Sequence, residues 1–163
     1  ISLPNALGTP NYEANFNFLK GVSDLNTDVT VASNKISEMN ERISNMKSIL
    51  SKTPVEASTL VTKLDAAKKE VDAVAKIITG GFGAKNSVSS RNRYALFTTY
   101  SAQVDITGAQ KEQYKLADDA FKGVVGKLNN LFTNKIPALE KEFVQAGGVL
   151  YNNSPQRGRF FEE

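Results

Sequence analysis

The sequence predicts an all-α protein, an up-down-up-down four-helix bundle with two long outer helices (the first and fourth) and two shorter ones. Three observations predict it. Apolar residues recur at alternating four- and three-residue steps over most of the 163 residues, the spacing of helices packed side by side at a small angle. Hydroxyl-led caps and glycine pairs punctuate those runs where helices should begin and end. No stretch carries the two-residue alternation of a half-buried strand.

The first helix is expected near residues 14–51. From Phe18 its apolar positions are Val22, Leu25, Val29, Ala32, Ile36, Met39, Ile43, Met46 and Leu50. The second, near 54–79, repeats the pattern at Ala57, Leu60, Leu64, Ala67, Val71, Val74 and Ile78. Thr53-Pro54-Val55-Glu56 places a hydroxyl, a proline and a carboxylate where a capping box needs them. The third, near 90–105, carries Tyr94, Phe97, Ser101 and Val104 on its seam. The fourth, near 108–146, opens on a second capping box, Thr107-Gly108-Ala109-Gln110. Its seam runs Tyr114, Ala117, Phe121, Val124, Leu128 and Leu131, then after a break Ile136, Leu139 and Phe143. Pro137 inside it removes a backbone donor and is expected to kink the helix, at a cost of about 3 kcal/mol unless packing uses the bend. Gly80-Gly81 and Gly147-Gly148 stand where left-handed C-caps are wanted.

At about 1.5 Å per residue the first and fourth helices are close to 60 Å long, the second about 40 Å and the third about 24 Å. Tight connections at 51–53 and 105–107 then leave the long helices overshooting at the end that holds the glycine loop. Tyr12, Phe16 and Phe18 from the first helix and Phe132 and Phe143 from the fourth are expected to gather there, with Phe82 of the loop dropping onto them. Phe16, Phe82, Phe132 and Phe143 are the candidate contacts with a neighbouring domain. Residues 1–151 form one helical domain, and 152–163, with Asn152-Asn153-Ser154 and the run PQRGRFFEE, form a polar tail.

Composition narrows the chemistry. The chain has no cysteine and no histidine, which removes disulfides, thiolate chemistry and the commonest general base and metal ligand. Lys+Arg 20 against Asp+Glu 17 gives a net charge of +3, with both signs interspersed along the helices, a solvated face and not a nucleic-acid stripe. No apolar run reaches the roughly 18 residues that span a membrane. ITGGFGAKNSVSS, residues 78–90, imitates a phosphate-binding loop. However, Ala84 separates Gly83 from Lys85, and a helix precedes the glycines where a strand is required. The segment reads as a helix stop and a connector. Adjacent Asp118 and Asp119 diverge on a helix surface, and Glu140 and Glu142 share no face. Gly123 and Gly126 read as points of close helix–helix approach. No catalytic, cofactor or metal-binding residue is predicted, and no cofactor.

The stretch LNNLFTNKIPALEKEFVQAGGVLYNN resembles the end of the helical region that follows the sortilin-type β-propeller in secreted bacterial proteins with BNR (Asp-box) repeats, commonly labelled glycosidase-like. Leu131, Asn134, Ile136, Pro137, Leu139 and Gly147 carry the likeness, and Glu140 stands where that family often has asparagine. FLKGVSDLNTDVTVASNKISEMNERISNMKSIL is similar to the first helix of the same region. The resemblance implies an extracytoplasmic, bacterial, non-catalytic accessory module packed beside a propeller of the same polypeptide, with any glycan chemistry belonging to that propeller. The opening on Ile1 fits a processed or longer chain. The alternative is a ligand-sensing periplasmic bundle of a receptor, for which Arg91 and Arg93 are the candidate polar groups. A membrane-active bundle is disfavoured because VDAVAKIITGGFG is too short and interrupted. The isolated chain is expected to be a monomer, with the aromatic end as the surface through which a dimer would form.

Overall fold

The computed structural model describes residues 11–52, 58–81, 85–97 and 106–150. The capping box at 53–56, Phe82, Ser101, Val104, the side chain of Phe97 and the tail from 152 lie outside the described residues. Among the described residues every regular element is helical: α1 (Tyr12–Leu50), α2 (Ser58–Ile78), α3 (Val88–Phe97), α4 (Gly108–Asn130) and α5 (Ile136–Gln145). A π-turn, Leu131–Lys135, joins α4 to α5 into one long helix. The all-α class, the four-helix count and the long first and fourth helices are as the sequence predicts.

Local chemistry sets the ends. The Asn11 side chain accepts from the Ala14 amide and starts α1. The predicted capping box at Thr107 forms in full, with the Gln110 side chain returning to the Thr107 amide at 2.7 Å. Gly80 and Gly147 take φ of 72° and 87°, the left-handed conformation that stops a helix and that a Cβ disfavours. At the second site Gly148 N–H donates to the Phe143 carbonyl and Gly147 N–H to the Val144 carbonyl, the paired bonds of a Schellman cap. A Cβ on Gly148 would overlap the Phe143 ring.

Cross-helix bonds show how the legs run. Lys47 pairs with Asp65, Glu70 with Lys135 and Lys63 with Glu142, so α2 is antiparallel to both α1 and α5. Lys35 donates to Asn129 and Arg42 to Glu140, so α1 and α4–α5 advance together. The third helix refines the expected alternation. Arg91 donates to Gln113 and Asn92 to the Val22 carbonyl, which keeps the register against α1 and α4 that α2 holds farther up. Val88 joins the continuous core with Leu25 and Ala117, whereas Ala95, further along, is buried outside it with Val22 and Ile106. Thus α3 continues the line of α2, and the glycine connector sits partway along the bundle. The third seam is set accordingly: Val88, Asn92 and Ala95 face inward and Tyr94 is 49% exposed, in place of the predicted Tyr94.

The break in the last seam has a definite cause. Leu131 and Ile136 are both buried, at 1% and 0% exposed, yet they are five residues apart, one more than a helical seam allows. The π-turn absorbs the extra residue, since the Ile136 amide bonds back to Leu131, five residues earlier. Ile136, Leu139 and Phe143 therefore all return to the core. Pro137 follows at once, in the first turn of α5, where its missing N–H is least costly. The strain expected at Pro137 is thus taken up by the π-turn.

The inserted residue, and not the proline, should be what holds the π-turn. Pro137→Ala is expected to keep it, because a continuous α-helix would swing Ile136, Leu139 and Phe143 about 100° off the core. Deleting exposed Asn134 together with Pro137→Ala should give a continuous helix with stability within about 1 kcal/mol of the parent. Backbone chemical shifts across 129–137 and urea unfolding check both.

Candidate functional site

Three regions have the side chains from which a site could be made: the aromatic positions, a charged belt across α1, α2 and the π-turn, and a polar layer around α3.

The aromatic residues are not brought together. Because α1 and α4–α5 run parallel, Phe16 and Phe18 lie near one end, Phe132 lies partway along, and Phe143 lies near the other end. Phe16 and Phe143 are about 40 Å apart along the axis at ~1.5 Å per residue. Phe143 is fully buried and is core. Phe132 is half-buried under two cations, with Lys35 Nζ 5.4 Å and the Arg42 guanidinium 5.7 Å from its ring centre. Phe18 meets Tyr114 edge to face at 5.5 Å. Gly21 makes room for that tyrosine, since a Cβ there would be 2.6 Å from its Oη, and burial raises the Tyr114 phenol above its ordinary value. Of the predicted contacts among the described residues, only Phe16, 67% exposed beside Tyr12 at 73%, presents an open ring. Phe82 lies outside the described residues. The expected aromatic end fails because its premise, antiparallel long helices, does not hold.

The charged belt is structural in its geometry. Arg42 makes a two-point contact with Glu140, Nε to Oε1 at 2.7 Å and Nη2 to Oε2 at 2.6 Å, and also pairs with Glu38 at 3.5 Å. The hydrogen bond to Glu140 raises the Arg42 pKa above its usual value, against an opposing effect of burial. Glu140 therefore ties α5 to α1. Lys135 donates to Glu70 at 2.6 Å, and that bond lowers the carboxyl below its ordinary 4.5. With Lys63–Glu142 it brackets a shallow groove of about 280 Å³ floored by Ala66, Ala138 and Leu139. Asp118 pairs with Lys122 along α4, and hydrogen bonding to Asp118 raises the Lys122 ammonium.

The polar layer is what sequence reasoning missed. Ser87, Asn92 and Gln110 are buried at 4%, 2% and 3% exposed. Ser87 Oγ accepts from the Ser90 amide at 3.1 Å and caps α3, while Gln110 completes the capping box of α4. Asn92 Nδ2 donates to the Val22 carbonyl at 3.0 Å, and its Oδ1 is buried with no hydrogen-bond partner among the described residues. Arg91 is half-buried and donates to Gln113 at 2.7 Å and to Asn86; Arg93 is exposed. The four-three spacing of Val88, Asn92 and Ala95 was the available signal, masked by the larger apolar residues Tyr94 and Phe97. Lys85 is exposed. Gly123 and Gly126 are exposed, and among the described residues no atom lies within 4 Å of a Cβ at either. They lie on the solvent side of α4 and mark no close approach between described helices.

Among the described residues no group of three carboxylate, histidine or cysteine side chains is placed to hold a metal ion, and no helix is long and apolar enough to cross a membrane. No protein-family model, curated protein or solved structure matches the chain.

Two outcomes follow from the geometry. Phe143→Ala should cost about 3–5 kcal/mol and Phe16→Ala within about 0.5 kcal/mol, read by urea unfolding. Glu70→Gln tests the belt. Its carboxyl is lowered in the folded state, so its stabilisation is present above the unfolded value of 4.5 and is lost as pH falls through the folded value. With both partners more than a third exposed, the loss at about pH 7 should be only about 0.5 kcal/mol and should vanish at about pH 2.

Proposed function

We propose that the chain is a non-catalytic helical accessory module that packs beside a neighbouring domain of a larger extracytoplasmic polypeptide. The observation that carries the reading is the pair Tyr12 and Phe16. They project from successive turns at the head of α1, 73% and 67% exposed, while the opposite face of the same helix is buried from Val22 to Leu50. Two aromatic rings one turn apart on a rigid helix make a contact surface with little side-chain entropy to lose, the kind of anchor that interfaces favour. The lack of histidine and cysteine in the sequence supports the non-catalytic part. The likeness of the last helix to the region following a BNR-repeat propeller supplies the candidate neighbour and the extracytoplasmic, bacterial setting.

The sensing alternative needs polar groups converging between helices. The buried candidates are Ser87, Asn92 and Gln110, but Ser87 and Gln110 are engaged in helix caps. A single remaining amide is a weak basis for ligand specificity, and the accessory-module reading is preferred.

Hydrogen exchange on the isolated module and on the parent polypeptide tests the proposal. Amides and side chains of the first turns of α1 should gain protection only when the neighbouring domain is present. Tyr12→Ser with Phe16→Ser should abolish that gain while changing the isolated module's stability by no more than about 1 kcal/mol. Equal exchange in the two contexts would overturn the reading.

A further inference from the structure

We infer that the contact begun by Tyr12 and Phe16 continues down the outer face of α1 as an uncharged line that takes an uncharged face of the neighbouring domain. This rests on the accessory-module reading above. The line is Ser23, Thr27, Thr30, Asn34 and Ser37, all exposed. It is in register with the open ring, since Asn34 lies eighteen residues after Phe16, five turns at about 3.6 residues per turn. Its steps of four and three repeat those of the buried seam, on the side of the helix away from Val29, Ala32 and Ile36. Lys20, between Phe16 and Ser23, can lay its stem along a contact and keep its ammonium in water.

The charge of this stretch is kept to one edge. Lys35 reaches Asn129 on α4, and Glu38 pairs with Arg42, which Glu140 of α5 holds. Asp28 and Asp24 stand seven and eleven residues before Lys35, on the same edge of the helix. The outer line between Lys20 and Glu41 has no charge, in a chain that is 23% charged. Solvation alone does not account for that composition. Serine, threonine and asparagine are poorer helix formers than lysine or glutamate, and no core packing requires them on an exposed face. What they offer is a low cost of drying. Thr27 Oγ1 donates to the Ser23 carbonyl at 3.2 Å and Thr30 Oγ1 to the Asn26 carbonyl at 2.9 Å. Both donors stay paired when water leaves. Interface centres are depleted of lysine and glutamate, which are costly to strip of water. A charged partner face would bury an ion with no counter-ion along this line, so the face it fits is uncharged.

Thiol labelling tests the line, since the chain has no cysteine of its own. Thr27→Cys and Asn34→Cys, placed singly in the parent polypeptide, should react with a maleimide about tenfold more slowly than in the isolated module, through an undocked fraction of about 10%. Thr62→Cys on α2, another exposed threonine bonded to its own helix, should react equally in both. In a Thr30→Cys background, Thr27→Lys with Asn34→Lys should return labelling to the isolated rate. The same pair of lysines should leave the isolated module's urea midpoint unchanged or higher, because lysine favours the helix. Protection of the first turns of α1 with unslowed labelling at 27 and 34 would sink the line and leave the Tyr12–Phe16 contact standing. No protection anywhere on α1 would sink both. Slow labelling in the isolated module, together with a dimer in sedimentation, would assign the line to a second copy and overturn its assignment to the neighbouring domain.

Discussion

The apolar stripe of α1 must be covered along its whole length, and the rest of the molecule follows from that demand. A helix of 39 residues presents a stripe about 58 Å long. The α4–α5 leg is of similar length and covers one flank. The other flank falls to α2, which is only about 31 Å long at 21 residues. Without α3 the head of α1, with Val22 and Leu25, would be left wet. The glycine connector is therefore not a terminal turn; it lets the chain leave one helix and begin another farther along the same groove. Gly80, at φ 72°, ends α2, and Ser87 restarts the helix by capping α3.

A second consequence concerns phase. A stripe that alternates four and three stays on one side of a gently supercoiled helix, and among the described residues the last helix departs from it between Leu131 and Ile136. One extra residue would turn the remainder of the last helix away from α1 and α2. The π-turn restores the phase within a single turn, and Pro137 is tolerated because it follows immediately. The same turn carries Phe132, which Lys35 and Arg42 cover, and Lys135, which reaches Glu70. The irregular backbone is thus tied to both neighbouring legs by charged groups. These ties fix register more than they add stability, since ion pairs as exposed as Lys135–Glu70 contribute little.

The two ends of the molecule differ in kind. Near the C-terminal ends of α1 and α5 the described interior is apolar, with Met46, Leu139 and Phe143 at 1%, 5% and 0% exposed. Near the N-terminal ends of α1 and α4 the interior takes in an amide and a phenol, and aromatic rings stand on the surface. A buried polar group can specify one arrangement of helices at some expense of stability. Asn92 is a buried polar group on the inward face of α3, and the exposed rings of Tyr12 and Phe16 lie towards the same end. The proposed contact therefore lies towards the end whose described interior includes polar groups.

The local features were legible in the sequence because they depend on neighbours along the chain. The seams of α1 and α2, the Thr107 capping box and the left-handed glycines at 80 and 147 all follow from spacing, side-chain oxygens and the absence of a Cβ. The break before Ile136 was also visible, though its form as a π-turn required knowing that both Leu131 and Ile136 must be buried. What lay beyond the sequence was the direction of each leg. Equal spacing suits parallel and antiparallel neighbours alike, so the pattern could not tell whether α3 turns back along α2 or continues its line. That choice decided where the aromatics fall, separating Phe16 from Phe143 by most of the bundle. It also decided the inward face of α3, where close packing against the Val22 carbonyl favoured a small residue and an amide over the larger, more apolar Tyr94. Residue spacing determined the helices; only the three-dimensional matching of their lengths and faces determined which residues meet.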